Sequence, residues 1–123
     1  MKATELQIGD LVKIKGHLDY DKVQEIARDE NMQWYISYAC SATLFRAYEF
    51  ESIPLTPEIL EKNGWWFDTE DTWRHDEVNF TIEKWNGRYQ CYDINQIKLY
   101  SVHQLQQVLR LAGLTDMANN FKI

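Results

Sequence analysis

The chain is poor in cysteine and proline and has no excess of positive charge, and each shortage removes a class of explanation. Its two cysteines, Cys40 and Cys91, lie 51 positions apart and match no zinc or redox spacing. Structural disulfides belong mainly to exported proteins, so both thiols are expected reduced in a cytoplasmic protein. No apolar signal core follows Met1, and no run approaches the roughly 20 apolar residues that cross a bilayer. The formal net charge of −6 is evenly shared. Residues 1–55 carry six basic and nine acidic side chains, and residues 56–123 carry seven and ten. Neither half is the basic lobe that phosphate neutralisation requires, so the charge chiefly favours solubility.

Reactive motifs are equally sparse. The three histidines, His17, His75 and His103, are scattered, and none has a second ligand at i+3 or i+4. The stretch from Asp68 to Glu77 holds five carboxylates against Arg74, but it lacks the central glycine of a calcium loop and reads as a solvated turn. Cys91 falls on a strand face expected to be buried, and Cys40 has no basic neighbour to activate it. There is no nucleophile elbow and no glycine-rich phosphate loop. No catalytic residue, cofactor or metal is expected.

What the chain does have is apolar bulk: 45% hydrophobic residues and 14% aromatic ones, enough for 123 residues to form a core unaided. Short strands are predicted over 11–15, 22–28, 32–39, 42–46 and 51–55. In the second of these, Val23 and Ile26 break the alternation, which points to a bulge. Five short strands in about fifty residues suggest a small bent barrel. The turn Ile8-Gly9-Asp10, the strand Val12-Lys13-Ile14, Gly16 and the second strand at Lys22-Val23 resemble the opening of SH3-like barrels of the KOW and Tudor type. That resemblance implies an N-terminal five-stranded SH3-like β-barrel over residues 1–55.

Residues 56–123 are expected to form an α+β subdomain. Thr56 caps a short helix with Pro57 at its first position, and Asn63-Gly64 ends it. Strands follow at 65–67, 72–75, 78–85, 88–92 and 97–100. Asn86-Gly87 favours a type I′ hairpin, which sets Trp85 opposite Arg88, Lys84 opposite Tyr89, Glu83 opposite Gln90 and Ile82 opposite Cys91. Val78, Phe80, Ile82, Tyr89 and Cys91 then share a buried face, while Trp85 and Arg88 meet on the other, where a cation–π contact is possible. Ser101 and Gln104 form a capping box for the last helix, whose core arc is Val102, Leu105, Val108, Leu109 and Ala112. Gly113 stops that helix, and the tail to Ile123 is expected to be only partly ordered.

The opening run from Met1 to Asp10, the run from Ile53 to Leu60, Asn63-Gly64, Trp73-Arg74 and the run from Tyr100 to Leu105 also resemble a group of small proteins common in Bacteroidetes genomes and prophages. The group has no assigned activity. The resemblance implies a phage or other mobile-element accessory rather than a mechanism.

The expected function is therefore a non-catalytic binding module for a protein partner, through the aromatic surface or a barrel edge strand, with strand addition at an exposed edge the simplest mode and no membrane contact. Trp65, Trp66, Trp73 and Trp85 are the leading candidates with Arg88, either as an interdomain core or as an exposed platform. Adjacent strand residues point to opposite faces, so Trp65 and Trp66 cannot enter the same core. The polar face of the last helix, with His103, Gln106, Gln107 and Arg110, is expected to be solvated, with docking as the other use. The alternative is nucleic-acid binding through the barrel, using Lys13, Lys15, His17 and Lys22 with Trp34 or Tyr35 stacking on bases.

Overall fold

Strand alternation near the start of the chain decides how the molecule is assembled. Adjacent residues of the first strand point to opposite sides, so Leu11 and Val12 enter two different cores. In the computed structural model, which describes residues 1–39, 43–91 and 97–123, the fold is α+β, with two antiparallel sheets and three α-helices among the described residues.

The first sheet contains β1 (Leu11–Ile14), β2 (Tyr20–Arg28), β3 (Trp34–Tyr38), β4 (Leu44–Phe45) and β5 (Phe50–Glu51), in the order β4-β3-β2-β1-β5. The irregularity expected in β2 is present: its register on β3 shifts between Val23 and Glu25, so Val23 is buried and Ile26 packs against the same core. The expected barrel is not confirmed, because among the described residues the sheet is open, with β4 and β5 as edges. Two causes are visible. Each edge strand is only two residues long, and β1 faces a core on both sides and cannot curl around one of them. Cys40 and Ala42 lie outside the described residues.

The second half begins with α1 (Pro57–Lys62), where Thr56 Oγ1 accepts from the Ile59 amide at 3.3 Å. Next come β6 (Trp66–Thr69), β7 (Thr72–Arg74), β8 (Ile82–Trp85), β9 (Arg88–Cys91) and β10 (Ile97–Leu99), in the order β10-β9-β8-β7-β6. Asn86 and Gly87 both adopt positive φ, as the type I′ turn requires. The pairs Glu83–Gln90, Lys84–Tyr89 and Trp85–Arg88 follow in the expected register. The strand expected from residue 78 starts only at Ile82, although Phe80 is still buried and Val78 still packs on the core. The expected strand over 51–55 reduces to β5 and a single bridge between Pro54 and Ser101. Ile53 and Leu55 turn into the second core. Tyr92 lies outside the described residues.

Helix α2 (Val102–Leu111) buries Val102, Leu105, Val108 and Leu109, while Ala112 falls past its end and is exposed. The tail is not loose. It forms α3 (Thr115–Asn119), buries Phe121, and clasps Asn63 through the backbone of Lys122: N–H to Oδ1 at 2.8 Å, and Nδ2 to the carbonyl at 2.7 Å.

Candidate functional site

Helix α2 presents two working faces rather than one. The polar arc expected to be solvated is folded against the N-terminal segment. Gln106 is fully buried, and its Oε1 accepts from the Leu11 amide at 2.8 Å. Its Nε2 donates to the carbonyls of Gly9 at 3.1 Å and Ala118 at 2.9 Å. Gln107 Nε2 donates to the Glu5 carbonyl at 2.9 Å and to Asp10 at 2.7 Å. Arg110 pairs with the fully buried Asp10 at 2.5 Å and also donates to Gln7 Oε1 at 3.1 Å. Gly9 has φ +91°, and a Cβ there would come within 3.0 Å of Arg110 Nη2 and 3.1 Å of Asn119 Oδ1. The Gly9-Asp10 turn that carries the SH3-like resemblance is therefore the socket into which α2 docks. Gln107 and Arg110, offered as binding candidates, hold the two halves together.

His103 is the third member of that arc. It is buried, with Nδ1 3.1 Å from Ser101 Oγ, and burial lowers its pKa below the usual imidazole value while Asp10 and Glu5 pull upward. Both residues line a cleft of about 520 Å³ at the junction of the halves, beside Glu5, Lys15 and Glu51. A hydroxyl paired with an imidazole can serve as a nucleophile and base. Here Ser101 is 3% exposed and lies two residues before His103 at the helix start. Gln104 completes the capping box at that start, its Oε1 accepting from the Ser101 amide at 3.1 Å and the Tyr100 amide at 2.7 Å.

The tryptophans divide cleanly. Trp65 (2% exposed) and Trp73 (5%) belong to the second core, while Trp66 (43%) and Trp85 (66%) are open to solvent. Strand register explains the division only in part. Phe67 pairs with Trp73 and Trp73 with Ile82, so those three share one side, on which Trp73 and Ile82 are buried while Phe67, on the edge strand, is 54% exposed. Trp66 and Trp85 fall on the outer side. Trp66 Nε1 donates to Asp76 at 3.1 Å, which fixes its ring. Arg88 lies opposite Trp85, yet its guanidinium sits over the Tyr100 ring at 5.6 Å instead of making the expected contact with Trp85. Gln90 and Lys98, facing each other across β9 and β10, complete this side of the sheet. Trp85, Asn86, Arg88, Tyr89, Gln90 and Lys98 enclose a cleft of about 340 Å³.

The remaining candidates are dispersed. Lys13 pairs with Glu51 at 3.0 Å, and Lys22 Nζ donates to the Asn119 carbonyl at 2.7 Å. Lys15 lines the junction cleft, and His17 stands exposed in the loop after β1. Trp34 carries Arg28 over its ring at 4.5 Å, and Tyr35 donates to Glu25 at 3.2 Å. His75 packs edge-on against Trp65, with ring centroids 5.4 Å apart. Among the described residues, no three His, Cys, Asp or Glu side chains group as a metal site, and no helix is long and apolar enough to cross a membrane.

The sequence reading missed Asp10, Gln90 and Lys98. Asp10 looked like an ordinary turn residue, and its partners lie about a hundred positions away. Lys98 joins Gln90 only through the register of β10 on β9, which no tight-turn signal announces. Comparison with protein-family models, curated proteins and solved structures finds no match to this chain.

Proposed function

We propose that the chain is a non-catalytic binding module that engages another protein through the outer face of its second sheet. The observation that carries this reading is the exposure of Trp66 and Trp85 on one side of a sheet whose other side is packed at Trp73, Ile82, Tyr89 and Cys91, with Phe67 open at the edge. Large rings left in water beside charged residues mark contact surfaces. Face-on docking is favoured over strand addition. The edge strands are two to four residues long, and β6 is interrupted by a register shift between Phe67 and Thr69, with Asp68 held by Arg74. Short, irregular, charged edges are how sheets discourage pairing.

In this proposal the first sheet is an opened SH3-like unit that serves chiefly to brace α2, and the protein acts in the cytoplasm as an accessory of a mobile element. Nucleic-acid binding is disfavoured because Lys13 and Lys22 are already engaged within the chain. The test is affinity capture from the native cytoplasm with the wild-type chain and with Trp66→Ala, Trp85→Ala and Trp34→Ala. A partner retained by wild type and Trp34→Ala but lost from the other two is the expected result. Identical capture by all four chains rejects the proposed face.

A further inference from the structure

We infer that the cleft beside Trp85 receives a carboxylate-bearing segment of the partner: an acidic peptide with an apolar residue next to its acidic side chains. The inference rests on the protein-binding role proposed for this sheet face and specifies the ligand. The lining carries donors and cations in a chain whose net charge is −6. Arg88, two residues before Gln90 on β9, and Lys98, the partner of Gln90 on β10, line the cleft without a carboxylate, and Glu83, the partner of Gln90 on β8, lies outside that lining. Among the described residues neither cation is paired with an acid, whereas Lys13, Arg46, Arg74 and Arg110 each are.

Gln90 supplies an independent sign. Its Nε2 is buried and makes no hydrogen bond, although buried amide donors are nearly always satisfied. A carboxylate oxygen entering between Arg88 and Lys98 would meet that donor once the Gln90 side chain turns outwards from its buried position. The Arg88 guanidinium, held over Tyr100, would then present its N–H edge to the same group. Trp85, largely open to solvent at the rim, offers the apolar surface for the neighbouring side chain.

A phosphate polymer fits less well. Its affinity comes from neutralising many phosphates, and the cleft holds two cations.

The experiment is a titration of ¹⁵N-labelled protein with three probes: an N-acetylated hexapeptide alternating Glu and Leu, the same peptide with Gln for Glu, and single-stranded dT10. The Glu peptide should shift the Gln90 side-chain amide and the Trp85 indole resonances. The Gln peptide should bind at least tenfold more weakly, and Arg88→Glu or Lys98→Glu should abolish the shifts while leaving the rest of the spectrum intact. Equal binding of the two peptides, no shift at Gln90, or a response to dT10 alone overturns the inference. Partner capture separates this from failure of the broader reading. A partner lost on Trp85→Ala but kept on Arg88→Glu overturns the acidic ligand and leaves the docking face standing. A partner kept by both variants overturns both.

Discussion

The two halves of this protein solve the problem of burying their strands in different ways. The second half packs one face of its sheet under α2 and adds α1, α3 and the tail, producing a core that runs from Trp65 through Leu109 to Phe121. The first half has a much smaller core around Val12, Val23, Ile36, Tyr38 and Phe50, with no α-helix of its own among the described residues to cover it. It takes support from its neighbour: Leu11 inserts into the larger core, and the Gly9-Asp10 turn grips the polar side of α2. The contrast teaches that one helix can be amphipathic towards two different partners. Its apolar arc closes the core of one sheet, and its polar arc fastens the turn that leads into the other.

This asymmetry predicts a hierarchy of sensitivities. The largest effect belongs to the shared core. Leu105→Ala removes a fully buried side chain and should cost about 2–5 kcal/mol. Both halves should melt in one transition, observed by circular dichroism and by hydrogen exchange in β2 and β9. Two separated transitions would show that the halves are independent.

Next comes the polar fastening. Arg110→Met leaves Asp10 buried without its cation and should cost about 3 kcal/mol, at the lower end for a broken buried pair because Gln107 and the Gln7 amide still bond the carboxylate. Exchange protection should fall more in the first sheet than in the second. Equal loss in both sheets would mean that the pair matters to α2 alone.

Acidity tests the same joint reversibly. Burial holds the folded pKa of His103 below the 6.5 of a free imidazole, so the unfolded chain takes up the proton first. The contribution of His103 is fully present above pH 6.5 and declines as pH falls from there towards its folded pKa. His103→Gln should flatten that part of the denaturation midpoint against pH. An unchanged profile would place the sensitivity elsewhere.

The smallest effect should be a gain. Tyr89 Oη is buried without a hydrogen bond, and burial followed by the Glu58 charge raises its pKa. Tyr89→Phe should therefore raise stability by up to about 1 kcal/mol, read as a higher denaturant midpoint at unchanged slope. A loss of stability would show that the hydroxyl does have a partner in solution.

Much of the second half was legible in local chemistry. Asn86-Gly87 allowed the hairpin register to be read pair by pair, and Gln104 reaches back to the Ser101 amide as the capping box requires. Thr56 and Pro57 start α1 where expected. The candidate site was legible only in outline. Trp66 and Trp85 were singled out, but so were Trp65 and Trp73, which are core residues. Local alternation separated Trp65 from Trp66 without saying which of them faces water. Gln107 and Arg110 looked like surface residues because a polar arc has the same pattern whether it meets water or another turn of the same chain.

By itself, the sequence determined the features whose energetics are settled within a few residues: turn chirality, helix caps and strand alternation. Tertiary structure alone decided that the first sheet stays open, that the tail docks on Asn63, and that Asp10 is buried beneath Arg110. The physical reason is range. A dihedral preference acts locally, whereas the desolvation of a carboxylate is compensated only when a helix about a hundred residues away brings its donors to meet it.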